Sequence, residues 1–167
     1  MKQKEYLSDE GYALIGAAFE VHRELGGGLI EDGARQRGDG ESKDLLGSRT
    51  AGGERLKRVP FGRLKEQIYQ ESLEWELGLQ KMPFQSKEEL NVYYKGHILN
   101  KRYIPDLHVF GELVVELKAV KALTSEHEQQ LLNYMHITKK PIGHLINFGP
   151  PSVEWKRFIL QEYITQK

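Results

Sequence analysis

The chain contains no cysteine. That excludes disulfides, thiolate zinc sites and cysteine nucleophiles. It also lacks an excess of charge: 24 Lys and Arg face 24 Asp and Glu, for a formal net charge of +0. Any nucleic-acid partner must therefore be met by a local patch, since there is no global basic field. No apolar run approaches membrane-spanning length, and the start MKQKEYLSDE lacks the apolar core of a signal peptide. The expected location is cytoplasmic, with no membrane partner. What is present is an ordinary globular mixture, 39% hydrophobic and 29% charged over 167 residues. That is enough for one domain with a real core.

Ser8 or Asp9 is placed to cap a helix running to about Leu25, with Leu14, Ile15, Ala18, Phe19, His22 and Leu25 as its apolar stripe. Gly26, Gly27 and Gly28 end it. His22, lying in the stripe, reads as a packing residue. From about Asp32 to Lys65 the chain is rich in Gly, Arg and acids, and its few apolar residues keep no period. Such a segment buries too little surface to offset its ordering entropy, so a long surface loop of about 32–66 is expected. Its basic cluster, Arg55, Lys57, Arg58, Arg63 and Lys65, reads as part of a solvated mixed-charge loop.

A second helix is expected from about Glu66 to Leu79, with Ile68, Ser72, Trp75 and Leu79 on its buried face, widened by Tyr69, Leu73, Glu76 and Leu77. Glu71 borders that face. Strands follow at Glu89–Tyr94 and Ile98–Ile104, turned by Lys95-Gly96. Ser125 with Glu128 resembles a capping box opening a helix to about Thr138, which places His127, Gln130, Leu131 and Tyr134 on one face. Further strands are expected at Ile142–Phe148 and Val153–Leu160. The order implies an α/β or α+β domain, a mixed sheet flanked by helices, with a strand–helix–strand unit in the middle.

The chemistry concentrates in RYIPDLHVFGELVVELKAV. Gly111 splits it into a hairpin. On the second strand Val114, Glu116 and Lys118 share one face, and Leu113, Val115 and Leu117 share the other. Asp106 can reach the same spot. Two carboxylates converging at a sheet edge make a hard-oxygen site suited to Mg²⁺ or Mn²⁺, and the lysine can neutralise a phosphate. Taken alone, these few residues fit better an Asp on a turn beside a surface Glu–Lys pair on an edge strand.

Five stretches in order, IGAAFEVHRELGGGL, IYQESLEWEL, IPDLHVFGELVVELKAVKAL, HEQQLLNYM and HLINFG, resemble the GxxExxY family of the PD-(D/E)XK nuclease superfamily. In that family GxxE runs straight into xxY. Here Gly28–Glu31 carries the first half and Glu66–Tyr69 the second, so residues from about 32 to 66 look like an insertion into one motif of a single domain spanning 1–167. Either Glu31 or Glu66 can take the family's Glu position. The resemblance implies a restriction-endonuclease-like core in which Asp106, Glu116, Glu71 and the Leu117 carbonyl hold one or two Mg²⁺. Lys118 would orient or help deprotonate the attacking water, and Gln130 and Tyr134 would position the phosphate or support the site. The activity implied is hydrolysis of DNA or RNA. The alternative is a non-catalytic nucleic-acid-binding or protein-interaction module on the same fold, including one disabled by the insertion. No exposed apolar helix face is apparent that would argue for a dimer, and the oligomeric state stays open.

Overall fold

A computed structural model describes residues 6–27 and 66–164. The expected loop of 32–65, its basic cluster and Glu31 lie outside the described residues. Four helices and seven strands follow one another as α1 (Ser8–Leu25), α2 (Glu66–Leu79), β1 (Phe84–Ser86), β2 (Leu90–Tyr94), β3 (His97–Tyr103), β4 (Leu107–Val109), β5 (Leu113–Lys118), α3 (Ser125–Thr138), β6 (Ile142–Asn147), β7 (Glu154–Ile159) and α4 (Gln161–Ile164).

Five strands make a mixed sheet in the order β1-β4-β5-β6-β7. β5 and β6 are its parallel pair, joined over α3, and every residue of both is buried. Continuous apolar runs suit a strand covered on both faces. Leu113, Val115 and Leu117 pack with α1 and α2, whereas Val114 packs with Leu131, Tyr134, Met135 and Leu145 on the α3 side. β2 and β3 form a separate two-stranded ribbon rather than joining this sheet. Its turn, Lys95 at φ 49° and Gly96 at φ 81°, keeps both residues left-handed, as a tight hairpin turn demands.

The expected mixed sheet flanked by helices and its strand–helix–strand unit are present. Several local expectations are corrected. Helix α1 starts after Leu7, which is left-handed at φ 54° and gives no side-chain cap, so neither Ser8 nor Asp9 caps it. Its buried residues are Gly11, Leu14, Ile15, Ala17, Ala18 and Val21, and Phe19 is exposed. Helix α2 buries Tyr69, Gln70, Leu73 and Leu77, and turns Ile68, Trp75 and Leu79 outward. Both stripes of α2 are apolar, so periodicity alone does not choose between them. An exposed apolar helix face therefore does exist. The cap of α3 is Thr124 with His127, not Ser125 with Glu128: the Thr124 N–H donates to His127 Nδ1 at 3.1 Å. The short strand β1 and helix α4 add to the expected elements. No helix among the described residues is long and apolar enough to cross a membrane.

Candidate active site

Strand alternation sends Glu116 and Lys118 to the same side of β5, where Lys118 Nζ donates to Glu116 Oε1 at 2.6 Å. Both side chains are almost fully buried. Asp106 lies just before β4, beyond the last rung that β4 shares with β5. There the Leu117 N–H has no strand partner, and it donates instead to Asp106 Oδ2 at 2.8 Å. The carbonyl of Leu117 points to the same side of the strand as its N–H, toward Asp106. One missing rung of the ladder thus fixes a carboxylate against the site.

The loop leaving β5 is pinned as well. Asn147 accepts from the Val120 N–H at 3.0 Å and donates to the Val120 carbonyl at 2.9 Å. The Phe148 N–H donates to the Lys118 carbonyl at 2.8 Å. Opposite, the Tyr69 ring stacks on Phe148 at 4.7 Å and its hydroxyl donates to the Gly26 carbonyl, which locks α2 beside the end of β6. That lock places Glu66, the first residue of α2, within electrostatic range of Asp106 and Lys118.

Burial pushes the Glu116 carboxyl up to about 7, and the neighbouring Asp106 charge adds to the rise despite the Lys118 contact. Burial likewise raises Glu66. Burial alone would lower Lys118, but the Glu116 hydrogen bond and the charges of Glu116, Glu66 and Asp106 outweigh it and hold the ammonium protonated. Three carboxylates thus face Lys118 and Lys87, which ion-pairs with Asp106 Oδ1 from the exposed side. Lys87 is itself left-handed, at φ 51°, with its N–H donating to the Asp106 carbonyl.

The chemistry of this donor set fits a hard divalent cation. Glu116 Oε2 is buried without a hydrogen-bond partner, beside the Asp106 carboxylate whose charge acts on it. Among the described residues, no group of three or more His, Cys, Asp or Glu is arranged as a ready-made metal cage. The candidate donors are the carboxylates of Asp106 and Glu116.

Of the residues read from the sequence, Asp106, Glu116, Leu117 and Lys118 come together. Gln130 donates to the Tyr134 hydroxyl at 2.9 Å, and Tyr134 lies close enough for the Glu116, Asp106 and Lys118 charges to act on it. Glu71 does not join the cluster. It is exposed, hydrogen-bonded to Gln67 at 3.4 Å, and lines an open cleft of about 440 Å³ with Glu66, Gln70, Glu74, Ser86 and Lys87. Its expected place on the border of the buried face fails because α2 is rotated about its axis. The helix carboxylate near the cluster is Glu66, one of the two glutamates that the resemblance leaves open. Lys87 has no sequence signal, because a left-handed backbone and a contact 19 residues away place it.

A profile of the PD-(D/E)XK nuclease superfamily matches residues 57–158. The chain belongs to that superfamily, whose members generally use divalent metals and act on nucleic acid. A solved structure described as "Crystal structure of SSO0001" is similar at 17% identity and a TM-score of 0.44, covering 60% of this chain. The chain spans 59% of the length of that protein. No curated protein matches.

Proposed function

We propose that the protein is a metal-dependent nuclease of the GxxExxY branch, a single domain interrupted by the insert, which hydrolyses phosphodiester bonds of DNA or RNA. The observation that carries the reading is the buried constellation of Asp106, Glu116 and Lys118, with Glu66 beside it and Glu116 Oε2 unpartnered. A Mg²⁺ or Mn²⁺ ion held by Asp106, Glu116 and the Leu117 carbonyl would supply Lewis-acid stabilisation of charge on the phosphate. Lys118 orients the attacking water and offsets negative charge in the transition state. A carboxylate of the cluster takes the water's proton. The water oxygen forms the new bond to phosphorus, and the ester bond to the leaving oxygen breaks. Gln130 and Tyr134 hold the α3 side of the site and steady the phosphate.

A second reading, a metal-free binding module, has one observation in its favour: the Lys87 ammonium already sits on the Asp106 carboxylate. Calorimetric Mn²⁺ titration decides between them. Wild type should bind, and a combined Asp106→Asn, Glu116→Gln variant should lose binding. With Mg²⁺, labelled single-stranded and duplex DNA and RNA should be cut by wild type, while Lys118→Ala retains metal and loses turnover about 10³-fold or more. Metal binding unchanged in the double variant would remove Asp106 and Glu116 from the site.

A further inference from the structure

The β2–β3 ribbon has no part in the constellation above, yet its composition is unlike the rest of the chain. From Leu90 to Tyr103 it carries Lys95, Lys101 and Arg102 and not one Asp or Glu, in a protein with no net charge. Two acids precede it: Glu88 is turned away to His108 at 3.1 Å, and Glu89 is exposed at the ribbon's base. Nearly all of the ribbon is exposed, including the rings of Tyr93 and Tyr94 at 62% each. Cross-strand pairing puts Asn91 with Arg102 and Tyr93 with Ile98 on one face. That face points away from the core, because the opposite face roots the ribbon through Leu90 and Tyr103. On the rooted face Lys95 lies over the Tyr94 ring and Lys101 over the Tyr103 ring, so each face of the ribbon carries both cations and aromatic rings.

The root matters as much as the tip. Tyr103 meets Tyr134 edge-on at 6.0 Å, and Tyr134 is the α3 residue that feels the charges of Glu116, Asp106 and Lys118. The root of the ribbon is therefore linked through Tyr134 to the carboxylate cluster, which repels phosphates unless they are held from outside.

We propose that the β2–β3 ribbon is a binding arm for a single nucleic-acid strand, with a base stacked on Tyr93 and backbone phosphates held by Lys95, Lys101 and Arg102. Exposed aromatics with interleaved cations suit single strands, because every base offers a stacking face. The acid-free composition supplies the local patch that the neutral whole cannot. This rests on the nucleic-acid reading of the site and adds where the strand lies.

The test is fluorescence anisotropy on the full chain in EDTA, with a labelled 20-nucleotide single strand and the matching duplex. Wild type should bind the single strand more tightly than the duplex. A Lys95→Gln, Lys101→Gln, Arg102→Gln variant should bind it roughly 10- to 100-fold more weakly, with a salt slope shallower by about 2. Tyr93→Ala should weaken single-strand binding about tenfold with the salt slope unchanged. Unaltered melting temperatures establish that each variant folds. Binding by wild type that neither variant reduces, or equal affinity for the duplex, overturns the arm and leaves the nuclease reading standing. No binding of the single strand by wild type in EDTA overturns the arm, and the nuclease reading falls with it only if Mg²⁺-supported cleavage is absent as well. Arm-dependent binding without metal affinity keeps the arm and removes the nuclease.

Discussion

The central pair β5–β6 and the ribbon β2–β3 are built of comparable lengths of strand, and they could hardly differ more in what surrounds them. In β5–β6 all twelve residues are buried, yet the strands carry Glu116, Lys118, His144 and Asn147. In the ribbon nearly every residue meets solvent, including two tyrosines and three cations. Burial makes charge expensive, so each polar group of the central pair is tied to a specific partner or shifted in its protonation. Exposure makes charge cheap, so the ribbon keeps its cations unneutralised by acids of its own. The first region has the properties of a site for chemistry, the second those of a surface for attraction.

The largest expected effect tests which carboxylate completes the buried region. Glu66→Gln should lower cleavage about 100-fold or more, and Glu71→Gln should leave it within about twofold, read as kcat/KM on the nucleic acid that wild type cuts. Equal losses in the two variants would place Glu71 at the site after all.

Next comes a pair of glycines. A Cβ on Gly149, which follows the end of β6, would lie 2.1 Å from the Val120 carbonyl oxygen, against backbone that Asn147 pins. Gly149→Ala should destabilise by about 3 kcal/mol by denaturant melt. Gly96, at the ribbon tip, has open space but φ +81°, so Gly96→Ala should cost only about 1 kcal/mol, from the backbone conformation alone. A Gly149 variant as stable as the Gly96 variant would mean that the loop beside the site is softer than its contacts imply.

The smallest effect sharpens the same contrast by pH. Burial lowers His144 to about 4, so the native ring stays neutral where the unfolded chain's histidine charges. A depressed folded pKa contributes stability present above the unfolded value of 6.5 and lost as pH falls toward about 4. The melting temperature should therefore fall over that window by more in wild type than in His144→Gln. Glu116, raised to about 7, has the opposite sign: its contribution is present below 4.5 and is lost as pH rises through about 7. Because it is common to both proteins, it cancels in the difference. Parallel curves would show that His144 is not the acid-sensitive group.

Much of this is legible in the order of residues alone. The all-buried strands β5 and β6 announce themselves as apolar runs, and Gly111 and Lys95-Gly96 mark turns whose residues are indeed left-handed. Asp106, Glu116 and Lys118 are readable because period-two alternation and one tight hairpin are local rules, and they bring those three side chains together without help from distant residues. Local rules stop where two faces compete. The sequence leaves α2 two apolar stripes, and only packing against α1 and the sheet chooses Tyr69, Leu73 and Leu77 over Ile68, Trp75 and Leu79. That one rotation moves the helix carboxylate at the site from Glu71 to Glu66. The Lys87–Asp106 ion pair, the orphaned Glu116 oxygen and the ribbon's separation from the main sheet likewise depend on contacts between segments far apart in the chain. Spacing sets which side chains share a face; burial, decided only when the layers close, sets which face matters and what each charge there costs.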